Sequence, residues 1–276
     1  MFLRLVSRRA KVVSVAALIP NLLTTVALCA GLASLHFSLQ GHWEKALAAI
    51  LVSAVFDALD GRAARLLHVT SNFGAVLDSL SDFLAFGVAP AVILHQWLLA
   101  PQEGAPFDMF SLAAVVTYPL CAGLRLARFT SAPPISKVSA SAANYFVGMP
   151  TPAAAGAVMV APMLAVSDTV AWRAPREAII LYTFVVALLM ISRVPMFSLK
   201  KLRINRRLVA PLLVLVGLAV VMMVKDAWLT LSAISGAYLL TLPASVVMRR
   251  RARQAELVGA GPRDASGSGG PAQGRA

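Results

Sequence analysis

Long apolar runs alternate with short polar connections along almost the whole chain. A helix needs about 20 apolar residues to cross the hydrocarbon core of a bilayer. On that measure the pattern predicts eight spanning helices, near residues 18–38, 43–67, 72–99, 109–129, 148–167, 178–198, 208–224 and 228–248. Small-residue runs such as PTPAAAGAV (150–158) suit close packing of helices against one another. No soluble domain and no long-period repeat is visible. The expected fold class is an all-α polytopic membrane protein.

Composition agrees with the pattern. Of 276 residues, 59% are hydrophobic and only 13% charged, and the mean hydropathy is +0.77. These values lie outside the range of soluble domains. A net charge of +13 invites a nucleic-acid role, but its distribution follows topology instead. Of the 25 Lys and Arg residues, only Lys45, Arg173, Arg176 and Lys225 fall on the opposite side from the rest when the N-terminus is placed inside. The positive-inside rule therefore puts both termini in the cytoplasm. No nucleic-acid partner is expected; the partner of the basic side is the lipid bilayer, whose anionic headgroups attract Lys and Arg by ~1 kcal/mol each. Residues 1–17 form a basic juxtamembrane segment, and residues 249–276 a basic, Gly/Ser/Pro-rich tail expected to be disordered. Cys29 and Cys121 both fall in apolar runs, which argues against a disulfide framework.

Against this background, residues 56–86, FDALDGRAARLLHVTSNFGAVLDSLSDFLAF, stand out. Four of the 12 acidic residues in the chain, Asp57, Asp60, Asp78 and Asp82, lie here within apolar sequence. Ionisable groups at membrane depth cost ~2.5–3.5 kcal/mol each on insertion scales, so they mark function. On a helix, Asp57, Asp60, Gly61, Ala64 and Arg65 share one face; after a break at HVTSN, Gly74, Asp78 and Asp82 share a face of the next. Ser71 is placed to cap that second helix. Antiparallel packing would bring the acids together, where they would repel unless protonated or bridged by cations. Oxygen ligands alone favour Mg²⁺ or Mn²⁺ over zinc. Carboxylates, one Arg and two small residues suit a phosphate-bearing substrate held by metal ions. The positive-inside count puts this face near the cytoplasmic surface.

The pattern D-x2-D-G-x2-A-R-x8-G-x3-D-x3-D resembles the signature of the CDP-alcohol phosphatidyltransferase family, with every fixed position present. DSLSDFLAFGVAPA, RLARFT and FVGMPTPAAA further resemble runs of the membrane-embedded phosphatidylserine synthases within that family. The resemblance covers about residues 17–155 and implies a six-helix catalytic core, 18–198, followed by an additional helix pair, 199–248. It implies two divalent cations, Mg²⁺ or Mn²⁺, ligated by Asp57, Asp60, Asp78 and Asp82, with Asp57 and Asp78 bridging and Asp82 also the general base. Asn21 and Thr24, from a Pro-Asn-x-x-Thr run, join Gly61, Ala64, Arg65, Ser71 and Gly74 as implied contacts to CDP-diacylglycerol. Arg125 and Arg128 are candidates for the acceptor or a phosphate, since Arg pairs its donors with carboxylates and phosphates. At a cytoplasmic helix end the same pair would also complement the helix dipole. Ala27, Val76, Ala85 and Thr130 depart from residues common in the family.

The activity implied is phosphatidyl transfer from CDP-diacylglycerol to L-serine, releasing CMP, by a homodimeric enzyme of the cytoplasmic (inner) membrane. Glycerol 3-phosphate, inositol phosphate or choline are alternative acceptors for the same chemistry. An ion or proton transporter is the remote alternative; it would want acids near the midplane and has no need of the G-x2-A-R context.

Overall fold

A computed structural model describes residues 15–69, 71–99, 109–131, 145–170, 174–192, 195–197 and 206–241. The basic N-terminal residues before 15, Lys137 and the tail lie outside the described residues. Helices occupy nearly all of the described residues. In chain order they are α1 (Val15–Leu39), α2 (Trp43–Leu66) and a long third helix, α3, which begins at Asn72 and continues through Leu99. Then come α4 (Met109–Ser131), α5 (Thr151–Val158), α6 (Val160–Val166), α7 (Arg176–Ile191), α8 (Arg206–Lys225) and α9 (Ala227–Thr241). Leu18–Leu39, Asn72–Trp97 and Met109–Ser131 are each long and apolar enough to cross a membrane. Val209–Lys225 and Ala227–Thr241 are shorter apolar helices. Leu, Val and Phe side chains are exposed along α1, α4, α7 and α8, as expected of surfaces that meet lipid rather than water.

The turns that bracket α2 set its direction. Between α1 and α2, His42 N–H donates to Phe37 O (2.9 Å) and Gly41 N–H to Ser38 O (3.0 Å), with Gly41 left-handed at φ 73°. After α2, Val69 N–H donates to Ala64 O (3.1 Å) and His68 N–H to Arg65 O (3.4 Å), with His68 at φ 52°. Both are Schellman endings, which satisfy terminal carbonyls through one left-handed residue. Glycine fills that position in the first; in the second a histidine bears the steric cost. Ser71 then accepts from Gly74 N–H (2.9 Å), so α3 starts on the expected cap.

Small residues let the first three helices approach closely. Ser34 and Ser53 donate to Ala46 O and Ala27 O, both at 2.8 Å, tying α1 to α2. A side chain at Gly31 would meet Leu84 and Ala85 of α3 at 3.0 and 3.2 Å. Over Phe83–Val88, and again over His95–Leu99, α3 widens into π-helix. Tyr118 of α4 donates to Phe86 O (2.9 Å) within the first of these. The core gathers Leu47, Phe86, Ile93, Leu94, Tyr118, Met149, Met159 and Met190, all nearly inaccessible.

Prolines and one glycine account for the departures from the expected boundaries. Pro20, expected at a helix start, lies inside α1. So near the start it removes a single intrahelical bond, and the helix continues past it. The fifth expected run breaks at Met159 into α5 and α6, with Pro162 in the latter. The sixth stops at Ile191, because Pro195 cannot extend a helix; instead Pro195–Phe197 pairs antiparallel with Tyr145–Val147. Gly148 follows that short strand at φ 78°, where a Cβ would stand 2.7 Å from Met190 O and 2.8 Å from Ser192 O.

Candidate metal and nucleotide site

The C-terminal half of α2 and the first turns of α3 both pack against α1, and their carboxylates come together there, so three helices contribute to one acidic site. Asp57, Asp60 and Asp78 each offer a carboxylate oxygen within 4.8 Å of the others. Asp60 is buried, and Asp57 and Asp78 are half-buried. Thr24 of α1 donates to Asp60 Oδ2 (2.5 Å), with its hydroxyl also 3.0 Å from Pro20 O, which fixes this carboxylate against the neighbouring helix.

Asp82 stands apart from the three. One turn beyond Asp78, it is carried about 6 Å along the helix, and it meets the cluster through a hydrogen bond between its carboxyl and that of Asp57. Its Oδ1 is buried and finds no hydrogen-bond partner among the described residues. Such an atom costs free energy unless something polar comes to it. Converging carboxylates, an orphaned oxygen and an all-oxygen donor set fit a hard divalent cation.

A cavity of about 190 Å³ opens beside the acids. Asn21, Thr24, Asp60, Gly61, Ala64, Ser71, Gly74 and Asp78 line it together with Pro20, Val69 and Ala75. Two glycines shape it. A Cβ on Gly61 would meet nothing within 4 Å, so the helix backbone is open to an approaching group. A Cβ on Gly74 would stand 2.6 Å from Asn21 Oδ1 and 3.0 Å from Ser71 Oγ, so the absence of a side chain there keeps α1 and the start of α3 together. Arg65 does not line the cavity. Its Nε donates to Gly61 O (2.8 Å) on the same helix, and its side chain is exposed.

The two arginines of α4 part company. Arg125 is half-buried, donates from Nη1 to Thr151 Oγ1 (2.9 Å) and lies near enough to Asp82 for their charges to interact. Its Nε is buried and finds no partner among the described residues. Arg128, three positions on, is exposed and donates to Ile191 O (3.2 Å), tying α4 to the end of α7. Thr151, Val69 and Ala75 were not singled out in the sequence. Thr151 could have been found, since it sits in the run MPTPAAA; the other two carry no chemical signal.

A helical membrane protein with oxygen ligands for a metal at one end of its bundle, beside a cavity open to helix backbone, has the equipment of a membrane-embedded group-transfer enzyme. The comparisons make this specific: the family model described as CDP-alcohol phosphatidyltransferase matches residues 17–199, and the chain belongs to that family. A second model, described as CDP-alcohol phosphatidyltransferase 2, matches residues 207–243. Among curated relatives, a Mycobacterium leprae protein is 32% identical over 233 residues, covering 84% of this chain and 76% of its own length. A Mycobacterium tuberculosis protein is 31% identical, covering 84% and 79%. One from Helicobacter pylori is 29% identical, covering 81% and 88%. All three are named CDP-diacylglycerol–serine O-phosphatidyltransferase.

Proposed function

We propose that the protein transfers the phosphatidyl group of CDP-diacylglycerol to L-serine, giving phosphatidylserine and CMP. The names of the relatives support the chemistry. For the acceptor, one observation carries the choice. Asp82 Oδ1, an acceptor, and Arg125 Nε, a donor, are buried atoms that find no partner among the described residues, on side chains close enough to interact. A hydroxy amino acid offers a hydroxyl to the first and a carboxylate to the second. Inositol phosphate and glycerol 3-phosphate would set a dianionic phosphate near the acids, and choline has no anion for Arg125.

Asn21, Thr24, Gly61, Ala64, Ser71 and Gly74 would receive the cytidine and pyrophosphate in the cavity they line. Arg65 would turn from its own backbone to neutralise pyrophosphate charge. Asp57, Asp60 and Asp78 would hold two divalent cations, Mg²⁺ or Mn²⁺, with Asp82 at their edge; when bound, these supply positive charge that lowers the barrier at phosphorus. Arg125, steadied by Thr151, would hold the serine carboxylate and aim the hydroxyl at Asp82. The serine oxygen forms a bond to the phosphorus bearing diacylglycerol, the bond from that phosphorus to CMP breaks, and the hydroxyl proton passes to the Asp82 carboxylate.

The core is placed at 18–198 with 199–248 as an added helix pair, eight spans in all. The site and both termini face the cytoplasm, in keeping with the positive-inside distribution. A homodimer is the family expectation. Membranes containing the protein, given CDP-diacylglycerol with Mn²⁺ or Mg²⁺, should label lipid from radioactive serine and not from glycerol 3-phosphate, inositol phosphate or choline. Product from glycerol 3-phosphate alone would reject serine as the acceptor.

A further inference from the structure

The last helix pair reaches the site through one residue that nothing in the motif pattern marks. Asp226, in the connection between α8 and α9, accepts from Leu229 N–H (2.9 Å) through Oδ1, which caps α9. Its Oδ2 accepts from Ser167 (2.5 Å) and Thr169 (2.8 Å), just past the end of α6. Farther along α9, Ser235 Oγ stands 3.1 Å from where a Cβ on Gly156 of α5 would be. Farther still, Tyr238 is packed against the core and comes near enough to Arg125 for the two to interact electrostatically, and Arg125 Nη1 donates to Thr151 at the start of α5. As numbers rise along α9 from 226 to 235, its neighbours fall from 167 to 156. The helix therefore runs antiparallel to α5 and α6. From the Asp226 anchor, 12 residues of helix carry Tyr238 about 18 Å, to the end of the bundle that holds the acids.

We propose that α9 closes the acceptor side of the active site and that Tyr238 is a positioning residue for Arg125. Thr151 fixes the guanidinium by its hydrogen bond and the phenol of Tyr238 lends it a polar neighbour within electrostatic reach, leaving Nε for the substrate carboxylate. This rests on serine being the acceptor and gives the C-terminal helix pair a direct part in choosing it. An arginine has many rotamers, and one that must hold a carboxylate by its planar edge gains from being fixed beforehand. Asp226 contributes at a distance by setting the register of α9.

The test is steady-state CMP release by the purified full-length protein in mixed micelles, varying serine and CDP-diacylglycerol separately. Tyr238→Phe keeps the ring in its packing and removes only the hydroxyl. The Michaelis constant for serine should rise by roughly threefold to tenfold, as expected when a charged group loses a polar neighbour that steadies it. Both kcat and the constant for CDP-diacylglycerol should stay within about twofold. In an Arg125→Lys background the same change should add less than about twofold, because the two residues act as one unit. An unchanged serine constant, equal losses for both substrates, or full additivity with Arg125→Lys would overturn the proposal. Wild-type protein that ignores serine would remove the acceptor assignment itself; wild-type protein that uses serine while Tyr238→Phe behaves normally would remove this inference alone.

Discussion

Each of the four aspartates has a distinct environment, and their substitutions should differ accordingly. Asp57→Asn and Asp78→Asn each remove a charge from the three-carboxylate group and should lower CMP release by roughly a hundredfold or more, the scale of losing a preorganised electrostatic contact. Asp82 lies outside that group, so Asp82→Asn should stop turnover while CDP-diacylglycerol binding, measured by equilibrium retention on the protein, persists. Loss of binding would make Asp82 a ligand and no base. Gly74→Ala tests the cavity. Its methyl would stand 2.6 Å from Asn21 Oδ1, so Asn21 must move and the affinity for CDP-diacylglycerol should fall by about tenfold, the effect of one or two lost polar contacts. Thermal stability of this variant should change less than its affinity does.

At the scale of elements, the connections carry as much of the design as the helices. The Schellman ending at His68 and the cap at Ser71 reverse the chain between α2 and α3, and this reversal sets Asp57 and Asp60 against Asp78. Gly148 holds a comparable post at the start of α5. It is left-handed and walled by two carbonyl oxygens, and its neighbour Met149 N–H donates to Leu189 O (3.3 Å). Gly148→Ala should therefore destabilise the protein by about 2 kcal/mol or more, combining a strained φ with a backbone clash. A thermal melt in detergent measures it. Because Thr151 lies only three residues on, the same change should also loosen Arg125 and lower activity in whatever fraction remains folded.

Across the whole molecule, the C-terminal pair is fastened to the core by a group that answers to pH. Asp226 sits outside the spans, and hydrogen bonds from Leu229 N–H, then from Ser167 and Thr169, hold its carboxyl down at about 2. A depressed value stabilises the folded state above the ordinary value of 3.8 and loses that contribution as pH falls through about 2. Melting curves of wild type and Asp226→Asn should differ at pH 5 and above and converge as pH approaches 2. A gap that stays constant across this range would mean the carboxylate charge plays no part.

Much of this was legible in the chain before any fold was known. Apolar length announces a spanning helix because a bilayer admits little else, and acids within such runs announce function because lipid makes them costly. The i, i+3, i+4 spacing already put Asp57, Asp60 and Gly61 on one face, since helix geometry is local. What sequence spacing could not resolve was contact between segments distant along the chain. It did not separate Asp82 from the other three acids, nor Arg125 from Arg128, because rotation and depth of packed helices decide which neighbour a side chain meets. Thr24 reaching Asp60, Thr151 bracing Arg125 and Tyr238 arriving from the last helix are facts of tertiary packing alone. Periodicity is a property of one helix; a site made from several exists only once their faces are set against each other.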